Sequence, residues 1–549
     1  MHFRRFLTEI NTPSLPSQEN ALESRRLFSR FIGDIQALTS IHQVAKEERI
    51  YLIFLGMLVL LGAFLRLMFI SQPMRYDEAF TYTVFASRGL REVLTNYQLP
   101  NNHIFHSILV ALTTNLLGNQ PWIIRLPTFL AGMLTIPSTY FVARSYFNQE
   151  AGVLSAGLVA GSSLLIEYST NARGYQLICL FTLLLLLLAR RILSEPKPLT
   201  WGLFIGISAL GLFTVPTMLY PYGGVVVWLL VSVILGDVSP EIRKKFLVAL
   251  LLSVAAVFFL VFMLYLPAII YSGLDRLVNN QFVQPGSWAE SLRLLGSLLI
   301  SLWDHWNRDI PQPLAWLLLI GCVLALLFHR RLSKDKVSLL GVMLLWCLVF
   351  ALLSNRVPPW SRVFLFLLPL YFIWASAGLV YLLGKLPLNS PRLVSKIIPT
   401  AALFIAFLIG YNLSQSRSVY YSEQTGALQD AEYIAVWLDN HAHQGDAIAS
   451  YVPSDAPLQY YLDKNHITIP HIYRRGQDFS FRRAFVIVSR NNGQSLEYVL
   501  DKVELKNKLD LSTSRLVKSF PSADIFEVYR AGVSSVVSPA SLDEANPDD

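Results

Sequence analysis

The sequence predicts a mainly α-helical, polytopic membrane protein of about 11 spans, with a small C-terminal α/β domain outside the membrane. Of its 549 residues, 53% are hydrophobic and 15% are charged, whereas about 25% of residues are charged in an average soluble domain. Apolar runs of roughly 20 residues, the length that crosses a bilayer, recur through the first 413 residues. After Leu413, shorter amphipathic and alternating segments indicate a change to a soluble fold.

The N-terminal segment 1–49 is polar and charged, and we expect it to lie in the cytoplasm. The first apolar run, 51–70, begins too far into the chain for a cleaved signal peptide, so it is expected to remain as a signal anchor. Residues 50–413 are then the membrane module. Its predicted spans are 51–70, 122–143, 150–168, 174–192, 201–217, 222–236, 246–267, 313–329, 337–353, 361–383 and 396–413.

Basic residues predict the orientation of these spans. With the N-terminus inside, the four connections that hold them all face the cytoplasm, as the positive-inside rule requires. These clusters are Arg190, Arg191 and Lys197; Arg243, Lys244 and Lys245; Arg330, Arg331, Lys334 and Lys336; and Lys385, Arg392 and Lys396. The segment 103–118 would invert this order if it crossed the membrane, so we expect a juxtamembrane or half-inserted helix. The sequence therefore predicts a multi-pass protein of the cell (inner) membrane.

The charge and cysteine content argue against a nucleic-acid partner and against a metal cluster or disulfide formed by the cysteines. The net charge of +8 is accounted for by the cytoplasmic loops, so no nucleic acid is expected, and membrane lipid is the expected surrounding. The three cysteines, Cys179, Cys322 and Cys347, lie inside apolar runs, where their spacing fits neither a metal cluster nor a disulfide.

The C-terminal region alternates between helical and strand patterns. Residues 414–534 are therefore expected to form an extracytoplasmic α/β domain. Its predicted elements are helices over 427–442, 456–464 and 494–506, strands over Asp446–Val452 and Arg483–Arg490, and two short strands within 514–530. The last residues, 535–549, are rich in Ser, Ala, Asp and Pro and are expected to be a disordered tail.

Chemically informative side chains collect in the predicted outer connections. Polar residues gather wherever loops meet water, but Asp77, Glu78 and Arg173 lie within a turn of long apolar runs, where an unpaired charge is costly. The set as a whole therefore predicts a site on the outer side. Its members are Arg75, Asp77, Glu78, His103, His106, Glu167, Arg173, Tyr175, Trp288, Trp303, Asp304, His305, Trp306, Arg356, Trp360 and Arg362.

Several of these residues permit more than one interpretation. Together with the carboxylate of Glu78, His103 and His106 could ligate a divalent metal such as Zn²⁺ or Mn²⁺, because they are spaced i, i+3. His103 could equally bind a phosphate. Consecutive helical residues do not share a face, so Glu78 is expected to orient Arg75 or Arg173, or to bind the metal, rather than to share a proton with its neighbour.

The order of the motifs resembles that of the GT-C glycosyltransferases. The chain is most similar to their protein O-mannosyltransferase and aminoarabinose-transferase branch, in its bacterial versions, over roughly residues 50–415. The motifs are Asp77-Glu78, Asn101-Asn102-His103, Arg125-Leu126-Pro127, Asn171-Ala172-Arg173-Gly174-Tyr175, and Arg362 before Pro369. Two prolines that commonly follow the histidine in this branch are replaced by Ile104 and Phe105.

The resemblance implies transfer of a sugar from a polyprenyl-phosphate donor to a hydroxyl of a protein, lipid or glycan acceptor. Asp77 matches the acid of the family motif and is assigned as the general base of an inverting reaction, with Glu78 as its catalytic neighbour. Cations must face the leaving phosphate, and this role is assigned to Arg173, Arg362, Arg356 and His103. Candidate substrate contacts are Arg75, Tyr175, Trp303 and His305.

Other interpretations stay open. Arg173 could form an ion pair with Asp77 or Glu78, whereas Arg356 and Arg362 could contact lipid headgroups, and the tryptophans could serve as interfacial anchors. Two rival functional classes are a transporter or flippase for a lipid-linked substrate and a non-catalytic membrane scaffold. A transporter predicts charges in mid-membrane and repeat symmetry, whereas here the polar residues cluster at one edge.

Overall fold

The structure is a computed structural model, and it describes residues 49–279, 286–353, 360–385, 391–422, 424–467, 472–473 and 480–532. For residues 391–395 it describes the backbone alone. The predicted cytoplasmic segment, apart from Arg49, and the predicted C-terminal tail lie outside the described residues.

Helices form nearly all of the membrane module, because a backbone in lipid must satisfy its own hydrogen bonds. The helices are α1 Arg49–Leu67, α2 Tyr76–Phe80, α3 Leu90–Thr95, α4 Ile104–Leu117, α5 Pro121–Ile124, α6 Leu126–Tyr146, α7 Gln149–Gly161, α8 Ser163–Ser169, α9 Tyr175–Ser194, α10 Pro198–Thr214, α11 Leu219–Ile234, α12 Pro240–Ser272, α13 Leu274–Val278, α14 Trp288–Trp306, α15 Gln312–Leu327, α16 His329–Leu332, α17 Leu339–Leu353, α18 Leu367–Leu383 and α19 Pro391–Ser416. A π-helical turn, Thr81–Phe85, and 3₁₀ turns at Ala86–Arg88, Pro216–Met218 and Ser361–Phe364 complete this part.

Six of the described helices are long and apolar enough to cross a membrane, or up to seven if the bent pair α7 and α8 forms one span. Five further apolar helices are shorter, and α4 is one of them. Each of the predicted spans coincides with one of these helices or with the bent pair, which confirms the mainly helical fold with membrane-spanning helices. The count of 11 spans, the inner membrane and the orientation stay predictions.

The bend of 63° between α7 and α8 is held by a buried arginine of α1. Arg66 donates from Nη1 to the carbonyl of Ala160 (3.2 Å) and from Nη2 to that of Val159 (3.4 Å), near the end of α7. Its Nε donates to Ser169 Oγ of α8 at 3.1 Å. Carbonyls at a helix C-terminus carry partial negative charge, so a guanidinium is favoured there. The bend directs α8 toward the loop that carries Arg173.

The chain beyond α19 forms a four-stranded sheet with helices around it. The strand order is β1-β2-β4-β3; β1 and β2 are parallel, and the other neighbours are antiparallel. The elements are α20 Ser418–Tyr421, α21 Ala431–His441, β1 Ala447–Ala449, α22 Asp455–Lys464, β2 Arg483–Ser489, α23 Leu496–Lys502, β3 Leu509–Ser519 and β4 Ala523–Arg530. The predicted helices and strands are therefore present, while the domain bounds 414–534 and an extracytoplasmic location stay predictions.

This α/β region packs on the long connection between α1 and α6. The hydroxyl of Tyr461 accepts a hydrogen bond from the backbone N–H of Met74 (3.3 Å), and Tyr460 donates to the carbonyl of Asn119 (2.6 Å). Residues of both parts share one buried hydrophobic cluster, which includes Met74 and Leu458. The α/β region thus holds the connection in which the two adjacent acids lie.

Candidate active site

The short helix α2 separates the two adjacent acids of the sequence. Its first turn is fixed by the backbone N–H of Arg75, which donates to Glu78 Oε1 at 2.9 Å. Because consecutive helical residues face different sides, Asp77 lies on the wall of a cavity, whereas Glu78 is fully buried outside that wall.

The cavity has a volume of about 660 Å³. Its charged lining, among the residues that the structure describes, consists of one carboxylate and three guanidinium groups, which makes it complementary to an anion. The polar residues of interest on its wall are Asp77, His103, Arg173, Tyr175, Arg276 and Arg362. Much of the remaining wall is apolar or aromatic and includes Val215, Pro216, Leu219, Tyr220, Phe350 and Val363.

Arg362 connects the carboxylate of the cavity with the C-terminal region. Its Nη1 donates to Asp77 Oδ2 at 3.2 Å and to the backbone carbonyl of Gln424 at 3.1 Å. The guanidinium carbon lies 5.1 Å from the ring centroid of Trp360 and 5.9 Å from that of Tyr175. The Nε of Arg362 is buried and has no partner among the described residues. Arg362 thus keeps one N–H donor, at Nε, without an acceptor among the described residues.

Arg173 and Gly174 each place an N–H group against a ring nitrogen of His103. Arg173 Nη1 donates to Thr81 Oγ1 (2.8 Å) and to the carbonyl of Asn101 (2.7 Å). Its Nη2 lies 3.0 Å from His103 Nε2, while the backbone N–H of Gly174 lies 2.8 Å from His103 Nδ1. A neutral imidazole has only one acceptor nitrogen, so one of these two N–H groups lacks an acceptor.

Glu78 is the centre of a buried network beside the cavity. Its Oε2 accepts from Arg125 Nε (3.0 Å) and from the backbone N–H of Ala172 (2.8 Å), and its Oε1 accepts from Arg125 Nη2. Arg125 also donates to the carbonyls of Ile70, Gln72 and Pro73. Burial alone would raise the pKa of Glu78, but the charges and hydrogen bonds of Arg125 and Arg75 outweigh it and lower this pKa. The carboxylate therefore stays ionised and joins α2 to the loop that carries Arg173.

Other residues singled out in the sequence lie away from the cavity wall. Arg75 is buried and donates to the carbonyls of Thr170 and Val419, Trp303 packs against Trp316, with ring centroids 5.0 Å apart, and the Nδ1 of His305 lies 2.7 Å from the carbonyl of Ser301. These contacts hold the backbone and pack the helices, and none of the three side chains lines the cavity.

Arg173 and Glu78 have other partners in the structure than the sequence suggested. Among the described residues, Arg173 forms no ion pair with Asp77 or Glu78, because its donors reach Thr81 and Asn101 instead. The partner of Glu78 is Arg125, since the side chain of Arg75 points toward backbone carbonyls. Arg356 lies outside the described residues.

The residues named for a metal do not fit one. The oxygens of Glu78 already accept hydrogen bonds from Arg125, Ala172 and Arg75, and both ring nitrogens of His103 face N–H donors. The described residues contain no group of three or more His, Cys, Asp or Glu side chains that could hold a metal ion.

Two buried histidines give the fold a pH dependence. Burial, reinforced by the charge of Arg173, lowers the pKa of His103 well below 6.5 and that of His106 to about 3. Below pH 6.5 the unfolded chain binds protons that the folded chain does not, so stability falls by about 1.4 kcal/mol per pH unit for each histidine. We expect a lower Tm in detergent at pH 5 than at pH 7.5. Replacing His106 by Asn should reduce this difference, whereas replacing the exposed His443 by Asn should not; an unchanged difference in the His106 variant would contradict the assignment.

Three residues of the site were not assigned a role from the sequence. Arg125 belongs to a quoted motif, and a lone arginine at the start of an apolar helix was the available signal. Arg276 lies on α13, in a polar stretch without a recognisable pattern, yet it lines the cavity. Gln424 reaches the site from the connection to the α/β region, and no local pattern marks it.

Comparison with known proteins agrees with this architecture. Residues 102–266 match the family described as dolichyl-phosphate-mannose-protein mannosyltransferase. No curated protein matches the chain in sequence.

Solved structures are similar over most of the chain. ArnT from Cupriavidus metallidurans in the apo state matches with a TM-score of 0.55 at 12% identity, over 87% of this chain and 97% of ArnT. The oligosaccharyltransferase of Archaeoglobus fulgidus, in complex with zinc and sulfate, matches with a TM-score of 0.52 at 10% identity, over 83% and 71% of the two chains. The same enzyme tethered with an acceptor peptide containing the NVT sequon matches with a TM-score of 0.51 at 11% identity, over 84% and 72%.

At such low identity, the structural similarity shows the fold alone. The resemblance drawn from the sequence motifs is confirmed: the chain has the fold of the GT-C glycosyltransferases, and its residues 102–266 match the protein mannosyltransferase family.

Proposed function

We propose that the chain is a membrane glycosyltransferase that moves a sugar from a polyprenyl-phosphate donor to a hydroxyl of a protein, lipid or glycan acceptor. The fold and the family segment support the reaction class. The observation that carries the proposal is the cavity itself, whose wall combines one carboxylate with three guanidinium groups, two of which have a buried Nε without a partner among the described residues.

The unsatisfied donors support a phosphate group as the anion. One N–H group between His103, Arg173 and Gly174 has no acceptor, and the Nε atoms of Arg173 and Arg362 are buried without partners among the described residues. A buried donor left unpaired costs about 1–3 kcal/mol. Phosphate oxygens would accept from these groups, and guanidinium groups match phosphate in geometry and charge. We assign the donor phosphate to Arg173, Arg362 and His103, with Arg276 at the rim.

The carboxylate of Asp77 supports a role as general base. Among the described residues, Arg362 alone donates to its side chain, and it does so at Oδ2. Oδ1 is thus available to accept the proton of an acceptor hydroxyl within hydrogen-bond reach. The hydroxyl oxygen would attack the anomeric carbon, the bond from that carbon to the phosphate oxygen would break, and the phosphate would leave with the lipid toward the cations. Attack opposite to the leaving group gives inversion.

The apolar wall supports a lipid-linked donor. Val215, Pro216, Leu219, Phe350 and Val363 line the same cavity as the cations, so an anion bound there would have hydrocarbon surface beside it. A prenyl chain gains free energy by burying its methylene and methyl groups against such a surface. A water-soluble nucleotide-sugar donor would gain nothing from it.

The phosphate assignment predicts which variants lose donor binding. Replacing Arg362 or Arg173 by Ala removes charge-assisted hydrogen bonds, so we expect about 10- to 100-fold weaker binding of undecaprenyl phosphate to the purified full-length protein. The binding constant in detergent is the measurement. Replacing Arg91 by Ala is the control, since Arg91 is exposed and does not line the cavity.

The transfer itself is tested with a panel of radiolabelled undecaprenyl-phosphate sugars and a membrane extract that supplies acceptors. Consumption of at least one donor is the expected result. If the wild-type protein binds undecaprenyl phosphate but consumes none of the donors, a transport or carrier function replaces the proposed one. If the wild-type protein does not bind undecaprenyl phosphate, the assignment of the phosphate site is wrong. It is also wrong if the arginine variants bind undecaprenyl phosphate as tightly as the wild type.

A further inference from the structure

Part of the connection between α20 and α21 lies beside the candidate active site. We call Ser422 and residues 424–427 the strap; residue 423 lies outside the described residues. Ser422 Oγ donates to Glu167 Oε1 at 2.7 Å, in α8. The carbonyl of Gly426 accepts from the backbone N–H of Tyr76 at 3.1 Å, at the start of α2. The strap is therefore fastened both to the helix that carries Asp77 and to the bent helix pair.

Gln424 forms the central contacts of the strap. Its Oε1 accepts from the hydroxyl of Tyr168 (3.1 Å), and its Nε2 donates to Ser361 Oγ (2.5 Å). Its backbone carbonyl accepts from Arg362 Nη1 at 3.1 Å. The side chain thus bridges α8 and the 3₁₀ turn that carries Arg362, and the main chain contacts the guanidinium directly.

The same Arg362 nitrogen is shared between Gln424 and the carboxylate of the cavity. Nη1 lies 3.1 Å from the carbonyl of Gln424 and 3.2 Å from Asp77 Oδ2. The carbonyl therefore helps to hold the guanidinium beside Asp77, together with the rings of Trp360 and Tyr175. Gln424 itself does not line the cavity, so it acts through Arg362 rather than on a ligand.

The strap is also fitted closely to the α/β region. Gly426 has a φ of 68°, and a Cβ at this residue would lie 2.6 Å from side-chain atoms of Pro453. The neighbouring Val452 lines the cavity. A single short segment thus contacts the α/β region on one side and the Asp77–Arg362 pair on the other.

We propose that Gln424 is a positioning residue for sugar transfer, which holds Arg362 beside Asp77 and makes the tether of the α/β region part of the catalytic centre. This inference rests on the proposed function. Because Arg362 is assigned to the charge that develops on the leaving phosphate, a displaced guanidinium lowers turnover more than donor binding.

The test replaces Gln424 by Met, which keeps the length of the side chain but removes its hydrogen bonds. We expect kcat to fall about 10-fold, KM for the transferred undecaprenyl-phosphate sugar to change less than about 3-fold, and Tm to change by less than about 2 °C. Replacing Gln429 by Met is the matched control, because the side chain of Gln429 accepts from Asn491 within the α/β region and has no hydrogen bond to the described part of the membrane module.

A double-mutant cycle separates positioning from a general structural role. If Gln424 acts through Arg362, replacing Gln424 by Met in an Arg362→Lys background should change kcat less than about 2-fold, because the coupled partner is already altered. Additive effects, or a loss of activity that follows a loss of Tm, would overturn the inference. If the wild-type protein transfers sugar, wild-type kinetics of the Gln424 variant would also overturn the inference. A wild-type protein that transfers no sugar from any donor overturns the proposed function instead, and this role with it.

Discussion

Replacing Asp77 by Asn is expected to reduce sugar transfer by about 100- to 10,000-fold, the range that a general base contributes. The amide has almost the shape of the carboxylate, and its oxygen can still accept the hydrogen bond from Arg362 Nη1. It cannot take the proton of an acceptor hydroxyl. We therefore expect an unchanged Tm and nearly unchanged binding of undecaprenyl phosphate, with the loss confined to kcat.

The matched control for this experiment is the replacement of Asp275 by Asn. Asp275 lies on α13, whose Arg276 lines the cavity, but its carboxylate is exposed and accepts a hydrogen bond from Asn279. Transfer should stay at the wild-type rate. Full transfer by the Asp77 variant would sink the assignment of the base. It would favour the rival classes, because neither a transporter nor a scaffold needs a proton acceptor at this position.

The location of the candidate site was predictable because membrane sequences rarely keep charge without a partner. Asp77, Arg173 and Arg362 lie near the ends of apolar runs, and the structure places all three on one cavity. The apolar runs likewise predicted the helices, since hydrocarbon leaves the backbone few alternatives. What the sequence patterns could not supply is the distance between residues that are far apart in the chain.

Glu78 and Gln424 illustrate this limit in physical terms. The rule that consecutive residues face different sides predicted that Glu78 has a different task from Asp77, but the two arginines expected beside it, Arg75 and Arg173, were the wrong side-chain partners. Arg125, 47 residues away, is the partner because α6 begins beside α2. Gln424 lies 62 residues from Arg362, and its role depends on how the α/β region packs. Only tertiary structure determines such pairs.

Replacing Glu78 by Ala should destabilise the protein by about 3–5 kcal/mol, the cost of leaving a buried charge without its partner. Glu78 and Arg125 are both fully buried, and two nitrogens of the guanidinium donate to the carboxylate. The N–H of Ala172 would lose its acceptor as well. We expect a marked fall in Tm and in the yield of monodisperse protein in detergent. Replacing Glu92 by Ala is the control, because this half-buried carboxylate on α3 accepts from the neighbouring Asn96 alone among the described residues.

The same variant decides between a structural and a catalytic role for Glu78. If the buried network is structural, replacing Arg125 by Lys should lower Tm too, because an ammonium cannot reproduce a fork that reaches both carboxylate oxygens and three backbone carbonyls. The molecules of the Glu78→Ala variant that stay folded should then still transfer sugar. Their rate should depend on how well α2 holds Asp77 at the cavity wall. A Glu78 variant that melts like the wild type but has lost transfer would contradict this and place Glu78 in the chemistry. The burial of its carboxylate outside the cavity wall argues for the structural outcome.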